Sequence, residues 1–221
     1  MKNFNLILFV CMFSFAATSQ NGFDFDGADD FVNVPSASSL VAGGSQISIS
    51  CWVYPTEVIS GWTNYNGFIG FRNNTNFDFY LLQLNSTTVE ARFRNSSNVV
   101  FTSSLSGLTL NTWNHIVLTY DGTNLKSYLN GVLGSTFAAN GTILTTTENF
   151  TIGRVNFNST MDFMLDGKLD EVGLWKKALS AAEVGCMYVE GINPTDSTLM
   201  LYYDFDHGIA NGTNTGVNTV V

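Results

Sequence analysis

The stretch Trp113-Asn114-His115-Ile116-Val117-Leu118-Thr119-Tyr120-Asp121-Gly122, followed by a second turn at Asn130-Gly131, constrains this chain more than any other feature. Ile116, Leu118 and Tyr120 alternate with Val117 and Thr119, and alternation resumes through Leu125, Lys126, Tyr128 and Leu129. Period-two patterning between turn dipeptides reads as antiparallel strands joined by tight hairpins. Asp-Gly and Asn-Gly both suit the type I′ hairpin, because they tolerate positive φ at the central positions.

Short strands recur along the chain. Phe23–Gly27 and Phe31–Pro35 read as a first pair around an acidic turn. Ile47 to Val53 alternates so that Ile47, Ile49, Cys51 and Val53 share one face, and Pro55 ends the strand. Residues 56–66 have no period and form a loop that carries Gly61, Trp62 and Tyr65. Strands are predicted at 67–72, 78–84, 89–94 and 99–102, between Asn/Ser/Thr clusters, then at 150–153 and as one long strand over 163–175. A last strand covers 199–205. One helix is visible: Ser180-Ala181-Ala182-Glu183 is a capping box, with Val184, Met187 and Tyr188 on one face behind it. This spacing predicts an all-β, two-sheet antiparallel sandwich with one short C-terminal helix.

The N-terminus has the form of a secretory signal, with Lys2, an apolar stretch from Leu6 to Phe15 too short to span a bilayer, and small residues at Ala17-Thr18-Ser19. Cleavage after Ser19 leaves roughly 200 residues, a usual length for one all-β domain. We assign 1–19 to the signal, 20–206 to the domain and 207–221 to the start of a linker that stops short. The mature chain then has no membrane span, and its location is secreted or at the cell surface. Cys51 and Cys186 remain. An exported domain could bridge them, but Cys51 alternates into the core and Cys186 lies on the helix, which suits two free thiols. The formal charge of −9 repels phosphate backbones and argues against nucleic acid as a partner. Asn-x-Ser/Thr triplets at Asn73, Asn85, Asn95, Asn140, Asn149 and Asn158 follow from the polar turns and are expected to be bare.

The ordered motifs resemble a known family. Trp113-x-His115, Tyr120-Asp121-Gly122 and Asn130-Gly131 are similar to the core of laminin-G-like domains, the concanavalin A-like jelly rolls of secreted proteins. Phe25-Asp26-Gly27-x-Asp29-Asp30-Phe31-Val32-x-Val34-Pro35 and Ile49 to Pro55 resemble their opening strands. Phe150 to Arg154 and Asp166 to Val184 resemble the closing strand and helix start. The likeness spans about residues 23–206 and implies a module of a secreted bacterial multidomain protein.

Catalysis finds no support in the residues. Laminarinase-like relatives carry Glu-x-Asp-x-x-Glu on one strand, which sets two carboxylates across a cleft at the separation glycosidic cleavage needs. Here Glu57, Glu90, Glu148, Glu171, Glu183 and Glu190 are scattered. His115 reads as a structural histidine, since a general base needs a partner that the sequence does not supply. The chain is therefore expected to be a non-enzyme.

Binding is the alternative chemistry. The family resemblance implies a structural Ca²⁺ tying the first strand to the closing strand, which maps to Asp170 with Asp26 as its partner. Calcium takes six to eight oxygens, and nearby carbonyls would complete the set. The competing reading makes Asp26, Asp29 and Asp30 turn formers. For a glycan, Trp62 and Tyr65 in the long loop, with Arg72 at the following strand end, offer aromatic faces and a hydrogen-bond donor. Trp62 could equally fold back over the sheet edge. The expected function is a non-catalytic recognition module, carbohydrate-binding first. The alternatives are an adhesion module binding a cell-surface or extracellular protein, and an accessory domain of a polysaccharide-degrading enzyme.

Overall fold

A computed structural model describes residues 22–73, 77–158 and 161–206. The signal over 1–19 and the linker over 207–221 lie outside the described residues. In chain order the strands are β1 (Phe23–Asp26), β2 (Val32–Val34), β3 (Ile47–Pro55), β4 (Asn66–Arg72) and β5 (Asp78–Asn85). There follow β6 (Thr88–Arg94), β7 (Val100–Ser106), β8 (Asn114–Tyr120), β9 (Asn124–Leu129) and β10 (Val132–Ala138). The last are β11 (Phe150–Ile152), β12 (Arg154–Asn158), β13 (Met161–Met164), β14 (Asp166–Trp175) and β15 (Leu199–Tyr203), with helix α1 (Ala181–Glu190) before β15.

The meander forms as its residues dictate. β8 pairs with β9 and β9 with β10, all antiparallel. Asn130 and Gly131 have φ of 50° and 78°, which is the type I′ requirement, and the Asn130 side chain accepts from the His115 N–H at 2.9 Å. The Asp-Gly turn departs from expectation. Its tip lies one residue further on, at Gly122-Thr123: the Asp121 N–H donates to the Asn124 carbonyl, and Asp121 Oδ1 also accepts from the N–H groups of Thr123 and Asn124.

Two antiparallel sheets face each other. One has seven strands in the order β1-β14-β3-β8-β9-β10, with β15 also on β14. The other has six, in the order β2-β11-β4-β5-β6-β7. Between them lie Ile47, Ile49, Cys51 and Val53 of β3, Ile116, Leu118 and Tyr120 of β8, and Phe79, Leu81, Val89, Ala91 and Phe93 from the other sheet. This is the predicted jelly-roll sandwich, and the burial of alternate residues is its main source of stability. Cys51 and Cys186 are free thiols.

Two expectations about pairing fail. β1 and β2 do not pair with each other: β1 joins β14 in one sheet and β2 joins β11 in the other, so the acidic turn crosses the sandwich. The long strand predicted over 163–175 divides at Leu165 into β13 and β14. β13 turns back to pair with β12, which had no prediction of its own. The first and last described strands converge on β14, which pairs with β1 through Asp166 to Leu169 and with β15 from Val172 to Trp175. There the Phe23 and Phe205 rings lie 5.8 Å apart.

Each sheet carries a cover on its outer side. α1 starts at the predicted box, with Ser180 Oγ accepting from the Glu183 N–H and Glu183 Oε2 from the Ser180 N–H. Its Val184 and Met187 pack with Val117, Tyr128 and Trp175 on the seven-stranded sheet. The β12–β13 hairpin covers part of the six-stranded sheet, where Val155 and Phe163 pack on Tyr80 and Leu82. The hairpin lies so close that a Cβ at Gly67 would collide with the Phe163 carbonyl and the Val155 nitrogen.

Candidate functional site

Cross-strand register defines the outer face of the six-stranded sheet. Because Phe79, Leu81, Ala91 and Phe93 point into the core, Asp78, Tyr80, Leu82, Glu90, Arg92 and Arg94 point outward. Gly70, Tyr80, Arg92 and Thr102 form one row across β4 to β7. Leu82, Glu90 and Ser104 form the row on one side, and Arg72 and Asp78 lie on the other.

Tyr80 is the hub of this face. Its hydroxyl donates to Glu90 Oε1 at 2.7 Å and accepts from Arg72 Nη1 at 3.1 Å. The Arg72 and Arg92 guanidiniums stand 5.0 and 5.4 Å from the Tyr80 ring centre. Arg92 Nη2 pairs with Glu90 Oε1 at 3.0 Å, and Arg94 Nε with the fully buried Asp78 at 2.8 Å. Burial first, and then the Glu90 carboxylate, push the Tyr80 phenol pKa up, so the ring stays neutral and can both donate and accept.

An aromatic wall rises beside these rows. Trp62, on a short 3₁₀ turn, has its ring 5.9 Å from Phe157, which lies 5.1 Å from Phe163, which in turn lies 5.5 Å from Tyr65. The Arg72 guanidinium stands 5.2 Å from the Phe157 ring. Trp62, Tyr65 and Arg72, named from sequence, are thus connected, but only through Phe157 and Phe163 on the hairpin. Their exposures separate them. Trp62 is 57% exposed and Phe157 and Tyr65 are half-buried, whereas Arg72 is 8% exposed and held within the cluster. Trp62 is the open surface and Arg72 is its support.

The carboxylates proposed for calcium do not meet. Asp26 is exposed, pairs across the ladder with Asp166, and accepts from the Ala28 N–H at 2.9 Å, as a turn former does. Asp170 lies four residues further along β14, about 13 Å away at ~3.3 Å per residue. The pair Asp26–Asp170 therefore does not fit one ion. Asp170 itself has a distinctive setting: it is 3% exposed, and its Oδ1 accepts from the Glu171 N–H at a bulge where Glu171 has φ of 48°. Burial pushes its pKa up to about 7. The Glu171 N–H bond opposes that rise, and the Glu171, Asp206 and Asp204 carboxylates add to it. Glu171 is committed to the Tyr202 hydroxyl and the Ile192 N–H. Among the described residues no three His, Cys, Asp or Glu side chains converge as a metal site.

His115 is buried beside Trp52 and Tyr188, and burial lowers its pKa to about 4. Its Nδ1 has no hydrogen-bond partner among the described residues, and the ring is held by packing on Trp52 and Tyr188. Asn95, one of the triplet asparagines, is buried with its amide on the Asn140 carbonyl. No two glutamates share a strand, and no helix among the described residues is long and apolar enough to cross a membrane.

The two-sheet sandwich gathers polar and aromatic groups on one outer face, and the fold alone does not say what they do. A laminin-G-type family model, described as the concanavalin A-like lectin/glucanases superfamily, matches residues 26–185. The chain belongs to that superfamily. No curated protein sequence matches it. Among solved structures it is similar to domain 4 of AbnA, an extracellular arabinanase of Geobacillus stearothermophilus, in complex with arabinotriose. That match has 20% identity and a TM-score of 0.59, and covers 75% of each chain. It is also similar to a carbohydrate-binding module of a Ruminococcus gnavus sialidase bound to α2,3-sialyllactose, at 15% identity and TM-score 0.59, over 75% of this chain and 97% of that one. A heptameric pentraxin of Limulus polyphemus matches at 15% identity and TM-score 0.57, over 82% and 90%. At these identities the likeness defines the fold.

Proposed function

We propose that this domain is a non-catalytic recognition module outside the cell, secreted or at the surface, and that its ligand is a carbohydrate seated against Trp62 and Phe157. The observation that carries this reading is the Trp62 indole, exposed at the end of an aromatic string anchored on Arg72. A rigid ring face suits the apolar CH side of a sugar, and the Thr102 and Ser104 hydroxyls stand further along the same sheet face on edge strand β7. The arabinotriose and sialyllactose complexes of two structural neighbours support the same class of ligand. A glycan array on the mature domain tests it. Trp62→Ala should weaken the strongest signal roughly tenfold or more, with the thermal midpoint unchanged. Undiminished binding removes Trp62 from the site.

A protein partner is the second reading, favoured by the uncharged edge strand β10 with exposed Val132, Leu133 and Phe137. That contact would survive Trp62→Ala and be lost with Val132→Lys. For the metal, we keep calcium at Asp170 alone, as a structural ion that would relieve a buried carboxylate among like charges.

A further inference from the structure

The sandwich has two edges, and they are built differently. At one end of the sheet orders stand β1 and β2, four and three residues long. Asp24, Asp26, Asp29 and Asp30 lie on β1 and in the turn that leads to β2, and Pro35 follows β2. Shortness, charge and proline all keep an edge strand from pairing with another chain. At the other end stand β7 and β10, each seven residues long, with the sequences Val-Phe-Thr-Ser-Ser-Leu-Ser and Val-Leu-Gly-Ser-Thr-Phe-Ala. Neither holds a charge or a proline. No Asp, Glu, Lys or Arg occurs between Arg94 and Asp121, or between Lys126 and Glu148, in a chain of net charge −9.

The two bare strands form one continuous surface. Ser103 Oγ and Ser135 Oγ lie 2.6 Å apart, and Gly134 sits against the Leu105 side chain at the bulge between Leu133 and Ser135. That bulge lets the two sheets meet and puts no charge on the edge. Val99, Val100, Val132, Leu133 and Phe137 lie here. They are five of the eleven large apolar side chains that stand exposed among the described residues, and Val132 is 70% exposed. Among those residues no strand pairs with the outer side of β10, so alternate backbone N–H and C=O groups along it face solvent.

We propose that β10 pairs with β10 of a second copy of this chain, in a two-fold dimer whose seven-stranded sheets join edge to edge. This rests on the protein-binding reading above and names its partner. Charge decides the occupant. Two copies of net charge −9 repel each other, and the β7–β10 edge is where they can touch without opposing carboxylates. Docking that edge on the acidic one would strip water from Asp24 and Asp26 with no cation in return. Head-to-tail chains are therefore disfavoured, and the contact closes on itself. An edge strand is satisfied by another strand with free backbone groups, which antiparallel pairing of β10 with itself supplies. The contact holds apolar side chains and main-chain hydrogen bonds without ion pairs, so salt screens the repulsion and weakens no attraction.

Analytical ultracentrifugation of the purified chain, from about 1 to 500 μM and in about 20 and 500 mM NaCl, tests this. Apparent mass should double as concentration rises, and the dissociation constant should fall severalfold at the higher salt. Val132→Lys should raise that constant about tenfold or more, with an unchanged thermal midpoint at concentrations where wild type is monomeric. Val58→Lys, at a similarly exposed valine outside the edge, and Trp62→Ala should dimerise like wild type. Hydrogen exchange at the β10 amides should slow with concentration in wild type and not in Val132→Lys. A dimer that Val132→Lys leaves intact, or growth beyond two copies, overturns the inference. A monomer throughout, with β10 amides exchanging freely, overturns it and leaves the edge open to a different protein. A monomer whose β10 amides are already protected overturns both readings, because the edge is then closed within the chain.

Discussion

Helix α1 covers one outer side of the sandwich with Val184 and Met187 packed on Val117, Tyr128 and Trp175, whereas the β12–β13 hairpin covers part of the other. The helix side buries aliphatic groups, and its ion pairs sit at the rim: Lys177 reaches Glu183 and Asp196, and Lys168 stands 4.0 Å from Asp24. The hairpin side buries guanidinium and phenol against rings, and leaves β6 and β7 open beside an exposed tryptophan. A closed face contributes to stability alone, while a partly covered face with charged groups inside it can also select a ligand.

The largest test of this contrast is Arg94→Ala against Lys168→Ala. Arg94 pairs with a carboxylate that is fully buried, so its removal should cost about 3 kcal/mol in chemical denaturation. Next come two glycines. A Cβ at Gly67 meets backbone atoms of the hairpin, while one at Gly173 meets the ends of the Trp175 and Ile192 side chains. Gly67→Ala should therefore lower the midpoint more than Gly173→Ala, since side chains give way and strands do not. Equal losses would show the hairpin to be a loosely held cover.

A smaller effect concerns pH. The Asp170 carboxyl holds its proton to about pH 7 in the fold, and releases it near 3.8 when unfolded. The folded state then binds more protons in that interval, so this group's contribution to stability falls as pH rises through it. His115, lowered from 6.5 to about 4, contributes the opposite slope in wild type and variant alike and cancels from their difference. In EDTA, Asp170→Asn should lack the Asp170 slope. Calcium should raise the wild-type midpoint at pH 8 and leave the variant unmoved, and a calcium-insensitive wild type removes the ion. Lys168→Ala stands last, within about 0.5 kcal/mol of wild type.

Much of the fold was legible because burial follows the period of the strand. β3, β8 and β9 alternate in sequence and each turns one apolar face into the core between the sheets, and the Ser180–Glu183 box marks the start of α1 whatever the tertiary setting. What escaped was partner choice. β1 and β2 look like a hairpin in sequence, but sheet membership is set by β14 and β11, far along the chain. The hairpin escaped for another reason. Val155 and Phe157 alternate with Arg154 and Asn156, and Asp162 and Phe163 continue the pattern, so its strands had a signal. Alternation gives a strand two faces without saying that the apolar one will lie outside the main core. Tyr80 and Arg92 were hidden similarly: each occupies an outward position that in most sandwiches meets only water. Trp62 and Tyr65 in a loop and Arg72 at a strand end were singled out by residue type, yet the rings joining them could be placed only by the fold.

The meeting of Phe23 and Phe205 on β14 has a mechanical consequence. Polypeptide leads in and out of the domain at nearly one point, on the sheet opposite the arginines. A tether at that point leaves the arginine-bearing sheet turned outward, and tension between the two ends would load the β14 ladder without crossing that sheet. The same geometry makes the domain suited to splicing into a surface loop of another protein, or to circular permutation, with a short bridge between its ends.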